Sequence, residues 1–165
     1  MKLTETILLA RELMEKHKLD GWKLKFDESK SHLGQCRYSE KSIYLSYPYV
    51  EINDEKIIRN TILHEIAHAL AGSGHGHNRI WRTIARHIGC TGDRCTRGAE
   101  RPRGKWTRHC ENCGYEVQSH RRTSKARACG ECCEKHNGGR YAEEYKLQWR
   151  LNKNIYCLLY TSDAA

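Results

Sequence analysis

Apolar and polar residues recur with different periods along this chain, and the period marks the elements. Over residues 4–17, Ile7, Leu8, Leu13 and Met14 fall at helical spacing, with Glu5, Arg11, Glu12, Glu15 and Lys16 mostly off that face. The stretch GWKLKF alternates instead, so Trp22, Leu24 and Phe26 line one side of a strand. GQCRYSEKSIYLSYPYV predicts two short strands about a polar turn at residues 39–42. Helical spacing returns after Asn53, a predicted N-cap, with Asp54 and Glu55 in the first turn, where the helix dipole favours negative charge. Ile58, Ile62, Ile66 and Leu70 fall four apart, Leu63 widens the stripe, and Gly72, Gly74 and Gly76 end the helix near Ala71. A third helix, about residues 78–88, places Ile80, Trp81, Ile84, Ala85 and Ile88 on one face and stops at Gly89.

TGDRCTRGAERPRGK has no period and contains Gly and Pro, so it reads as a boundary. Beyond it a last strand alternates Tyr145, Leu147, Trp149 and Leu151 with Lys146, Gln148 and Arg150. The pattern predicts an α+β chain. A lobe over 1–92 packs helices on a short sheet, a linker spans 93–105, a β-rich lobe spans 106–155, and a tail spans 156–165. The ending CLLYTSDAA resembles translated sequencing-adapter sequence, so that tail is read as non-native and Cys157 is left out of the metal arguments.

Composition sharpens this picture. Of 165 residues only 38% are hydrophobic, and Phe occurs once, which argues against a large apolar core. Nine cysteines offer another staple. The opening MKLTETILLARELMEKHKLDG is interrupted by Glu5 and Glu12 and does not read as a signal peptide, and no stretch has the length of a membrane span. The expected setting is therefore cytoplasmic and reducing, where paired cysteines favour metal over disulfides. The net charge of +9 is concentrated: residues 79–140 hold 15 Lys and Arg against 6 Asp and Glu, and the rest of the chain is neutral. A localised positive field attracts polyanions, of which nucleic acid is the commonest.

Two clusters carry chemistry. LHEIAHALAGSGHGHNRIW holds four histidines and a glutamate. His64 and His68, one helical turn apart, present two imidazoles to one ion. Glu65 falls beside that ion rather than on it, placed to take a proton from water activated there. The metzincin pattern fails, because Ala71 and Gly74 stand where its glycine and third histidine belong. His75 and His77 remain for the third position. His77, just before the third helix and four residues ahead of Trp81, is the favoured one. The second cluster is C-x₂-C, fifteen residues, C-x₂-C: Cys110, Cys113, Cys129 and Cys132, with Cys133 as the less favoured fourth member. Four thiolates leave no open position, so this zinc would be structural. Between the pairs, Arg121, Arg122, Lys125 and Arg127 suit phosphate contact without base reading. No role emerges for Cys90 and Cys95, and Cys36 reads as a small core residue.

HEIAHAL…GHGHNRIW resembles the SprT-like (Spartan) family of zinc metalloproteases, which carry H-E-x-x-H and then a histidine four residues before an aromatic residue. That resemblance extends from GQCRYSEKSIYLS through the cysteine pairs to GGRYAEEYKLQW. It implies a small zincin-like lobe followed by a zinc ribbon. It implies a zinc endopeptidase with ligands His64, His68 and His77 and the base Glu65. Together the two clusters predict two zinc ions per chain, one catalytic and one structural. The expected partners are non-sequence-specific DNA and a protein substrate bound or crosslinked to it, as in DNA–protein crosslink repair. The expected state is a monomer, cytoplasmic and associated with DNA or the nucleoid. The rival expectation is a nucleic-acid-binding zinc protein with a vestigial or regulatory peptidase site. Glu65 argues against it, because a binding module has no need of a carboxylate there.

Overall fold

A computed structural model describes residues 2–152. The tail over 156–165, and residues 153–155 of the expected second lobe, lie outside the described residues. The chain divides into two compact units, Met1–Pro102 and Arg103–Ala165.

In the first unit, α1 (Leu3–Lys16) buries Thr6, Ala10, Leu13 and Met14. Leu8, expected on that face, is 66% exposed, because the buried stripe is carried by positions 6, 10, 13 and 14. Three strands follow: β1 (Lys23–Asp27), β2 (Gly34–Arg37) and β3 (Ser42–Ser46). β3 lies in the middle, parallel to β1 and antiparallel to β2. Its central place explains why Ile43 and Leu45 are buried together with Ser42 and Ser46.

The strand expected to run on through Val50 instead gives way to a short helix, α2 (Tyr47–Ile52). Ser46 caps it by accepting from the Tyr49 N–H, and Pro48 sits in its first turn, where a missing N–H costs nothing. α3 (Glu55–Ala71) is capped by Asp54, not Asn53: the Asp54 carboxylate accepts from the Ile57 N–H at 2.9 Å. α4 (Arg79–His87) is capped by Asn78 and buries Trp81 and Ala85 completely. Ile80, expected inside, is half exposed. The core gathers Ala10, Leu13, Ile43, Leu45, Ile62, Ile66 and Trp81 from α1, β3, α3 and α4.

Asn53 has another task. Its amide donates to the Glu100 carbonyl at 3.0 Å and accepts from the Glu100 N–H at 2.8 Å. That pair of bonds ties residues 93–102 to the first unit, so most of the expected linker belongs to it.

The second unit is a three-stranded antiparallel sheet of β4 (Trp106–His109), β5 (Glu116–Ser119) and β6 (Gln148–Leu151), in the order β5-β4-β6. A short helix, α5 (Gly130–Asn137), was not expected from the sequence. Tyr145 closes a 3₁₀ turn, so the last strand starts at Gln148 rather than Tyr145. Among the described residues no helix is long and apolar enough to cross a membrane.

Candidate metal centre and active-site cleft

His64 and His68 project from the same face of α3. Gly72, at φ +89°, ends the helix in a conformation that disfavours any side chain, and the chain turns back. Asn78 then caps α4 by accepting from the Trp81 N–H at 3.1 Å. This turn brings His77, not His75, to the other two rings. His77 Nε2 lies 3.0 Å from His64 Nε2 and 3.2 Å from His68 Nε2. His75 points elsewhere: its Nδ1 accepts from the Asn78 amide at 3.0 Å. The His68 ring is held by a hydrogen bond to the His75 backbone. Such a bond fixes which ring nitrogen faces the cluster. Trp81 packs against all three imidazoles, with ring centroids at 4.7, 5.1 and 4.6 Å from His64, His68 and His77.

The donor set fits a single cation. In tetrahedral zinc bound by imidazoles, neighbouring nitrogens stand about 3.3 Å apart, close to the spacing here. Mutual hydrogen bonding does not account for the arrangement, because one proton on His77 Nε2 cannot serve two neighbours at once. Burial, followed by the charges of His68 and His77, lowers the His64 pKa to about 3. Burial and then the His77 charge lower that of His68 to about 4. Neutral imidazoles are the form that binds metal.

A pH dependence follows for the metal-free protein. The unfolded chain binds more protons at these two sites as the pH drops below about 6.5, so folding loses stability through the window down to the folded-state values. The pKa of His77 is lowered too, and the three histidines together outweigh the opposite contribution of the buried Glu65 carboxyl, so the chelated protein is expected to melt at a lower temperature at pH 5 than at pH 7. Thermal scans across that range check this, and a flat profile would contradict it.

Glu65 lies against β2 at Gly34 and is 6% exposed. Burial pushes its carboxyl up to about 8, opposed by a hydrogen bond from the Cys36 backbone N–H. The histidines and Glu65 floor a cleft of about 720 Å³. β2 forms one wall, and the segment over 94–101 contributes Arg94 and Arg101 to its lining. Tyr38 closes one end, its hydroxyl shared between the carbonyls of His68 at 3.0 Å and Gly72 at 3.2 Å.

The cysteines form the second group. Cys110 and Cys113 bracket a turn closed by the Gly114 N–H to the Cys110 carbonyl, with Gly114 at φ +74°. Cys129 is the N-cap of α5 and Cys132 lies in its first turns. Sγ–Sγ separations are 3.8 Å for Cys110–Cys132 and 3.6 Å for Cys113–Cys129. A disulfide needs about 2 Å, and the edge of a tetrahedral zinc–thiolate site is about 3.8 Å. The four thiols therefore fit one zinc, and Cys133 stays outside the group.

The SprT-like family model matches residues 4–101. The chain belongs to the SprT-like family. The match holds the whole histidine cluster and ends before the second unit of this SprT-like protein. Among solved structures it resembles the metallopeptidase zymogen jannalysin of Methanocaldococcus jannaschii. Identity is 18%, over 52% of this chain and 83% of that one, with a TM-score of 0.46. No curated protein matches the chain.

The structure of this SprT-like chain gathers His64, His68 and His77 in one group and Cys110, Cys113, Cys129 and Cys132 in another, and Glu65 lines the same cleft as the histidines. Arg121, Arg122, Lys125 and Arg127 are all exposed. Sequence reasoning missed the two walls of the cleft. The segment over 94–101 lacks any period, and its tie to Asn53 through Glu100 joins residues far apart in the sequence. Cys90 and Cys95 do not bridge: Cys90 is buried near the Asn60 carbonyl, and Cys95 is exposed on the cleft. Cys36 is half-buried in the wall beside Glu65, where burial raises its thiol to about 12.

Proposed function

We propose that this protein is a zinc endopeptidase that acts on proteins bound or crosslinked to DNA. The observation that carries the hydrolytic reading is the convergence of His64, His68 and His77 with Glu65 beside them at the floor of an open cleft. His64, His68 and His77 would hold the zinc, which supplies Lewis acidity that acidifies water and polarises a carbonyl. Glu65, whose carboxylate form the charge of the bound cation would favour, accepts the proton of the attacking water and returns it to the leaving nitrogen. Trp81 and the Asn78 cap hold the imidazoles in place. β2 is an edge strand, and an extended peptide would add along the side of it that does not pair with β3. The test is cleavage of fluorescently labelled casein by the zinc-loaded chain, with and without DNA. No cleavage under either condition rejects the peptidase reading.

Nucleic-acid association draws support from the second unit. Arg121, Arg122, Lys125 and Arg127 lie between the two thiol pairs, on a loop that the four-thiol site, Cys110, Cys113, Cys129 and Cys132, would staple at both ends with a second, structural zinc. Arg122 stands 5.1 Å over the Trp106 ring and 6.0 Å over that of Trp149, and Arg108 lies 5.3 Å over Trp149. Cations beside partly exposed aromatic rings suit a backbone of phosphates with bases to stack, and nothing there selects a sequence. Replacing the four loop cations with Gln is expected to weaken DNA binding uniformly across sequences. The slope of log affinity against log salt should fall by about 3–4, at about 0.7–0.9 per lost phosphate contact. Titrations at several salt concentrations measure it, and an unchanged slope places the DNA elsewhere.

A further inference from the structure

We infer that Gly34 is a positioning residue for the general base: the side chain it lacks is the space that the Glu65 carboxylate occupies. The inference rests on the peptidase reading for its catalytic meaning and on packing for its geometry.

β2 alternates, so Gly34 and Cys36 face α3 while Gln35 and Arg37 face away. On α3, Thr61 and Glu65 stand one turn apart and meet the strand at Gly34. A Cβ at position 34 would lie 2.9 Å from Glu65 Cγ, 3.0 Å from Glu65 Oε1 and 3.1 Å from Thr61 Cγ2. The first is closer than a Cβ contact comes, and the other two require the neighbour to give by a few tenths of an ångström. The backbone gives no other reason for glycine, because Gly34 is not among the residues with positive φ and pairs with Leu45 in the ladder. Glycine inside a strand costs order and packing, and close approach of another group is a standard reason to find it there. Two residues on, the Cys36 N–H donates to the same carboxylate. One strand thus supplies both room and a donor for the base. Glu65 cannot retreat into the core, where Ile62 and Ile66 are fully buried, so its room to move is along the cleft that it lines. An added methyl would meet a strand held by its ladder to β3 and a carboxylate on rotatable bonds. The carboxylate yields.

The test uses Gly34→Ala in the full chain loaded with zinc. A crystal structure is expected to keep the β2–β3 ladder and to show the Glu65 carboxylate displaced by about 1 Å or more. On labelled casein, kcat is expected to fall about 10²-fold, the scale of loss for a catalytic group misplaced by about 1 Å. KM should stay within about twofold, because the cleft walls are unchanged. Zinc content should also be unchanged, which separates positioning from loss of the site. Adding Thr61→Ser removes only the methyl at 3.1 Å and is expected to restore part of the lost kcat. An unmoved Glu65, an unchanged kcat, or a variant that loses the ladder or fails to fold overturns the inference, since each means that something other than the carboxylate yields. If the wild-type chain does not cleave casein, the peptidase reading fails, and the position of Glu65 in the variant crystal decides the inference alone.

Discussion

Glu65→Gln is expected to lower peptide cleavage by about 10²–10⁴-fold while the zinc stays bound. Glutamine matches glutamate in volume, so no cavity opens beside Ile62 and Ile66. Its carbonyl oxygen can accept the Cys36 N–H as the carboxylate does. Its amide has no lone pair basic enough to take a proton from water. The three nitrogens that converge belong to His64, His68 and His77, and none of them depends on the charge at position 65. The experiment compares kcat on labelled casein and zinc per chain for the two proteins. Equal rates would remove Glu65 from the mechanism. Loss of zinc together with activity would instead make it part of the metal site.

The parts of this site legible in the sequence are those fixed by local geometry. His64, Glu65 and His68 share a helix whose period is written in Ile58, Ile62 and Ile66, so their faces follow from 3.6 residues per turn. The cysteine pairs are legible for a similar reason, because two ligands on a tight turn need a fixed spacing. His77 could be preferred to His75 only by its place ahead of α4. The Asn78 cap settles it physically, since Asn78 also holds the His75 ring away from the cluster. Two helices escaped notice although their signals were present. Ser46 before Tyr47 and Pro48 is an N-cap followed by proline in the first turn, and Gly138, at φ +57°, is a left-handed C-cap for α5. Apolar alternation through IYLSYPYV outweighed the first signal, and the cysteines drew attention from the second. The cleft walls were not legible at all. Residue 34 meets residue 65, and residue 53 meets residue 100, through contacts between distant segments that no local pattern encodes.

Replacing Cys110 and Cys113 with Ser is expected to lower zinc from two ions per chain to one and to unfold the second unit. The buried apolar cluster of that unit consists of Cys110, Cys129, Cys132 and Leu147, with Tyr145 against it. Three of its four buried members are thiols, so with the metal gone the cluster is reduced, among the described residues, to Leu147 and part of Tyr145, with the edge-to-face pair Trp106 and Trp149 on the sheet itself. Burial of one leucine supplies about 2 kcal/mol, far less than the conformational entropy of ordering some fifty residues at about 1 kcal/mol or more each. Zinc in a four-thiolate site supplies about 10–16 kcal/mol on folding, several times what that leucine supplies. The loop with Arg121, Arg122, Lys125 and Arg127 runs between Cys113 and Cys129, so DNA affinity should fall with the fold. The first unit has its own core around Trp81 and its own histidine group, and cleavage of DNA-free casein should survive. Zinc analysis, circular dichroism, DNA titration and the casein assay on one preparation separate these effects. A variant that keeps its sheet and its DNA binding with one zinc would show that the thiol site does not hold this unit together. A variant that keeps two would place the second ion on other ligands.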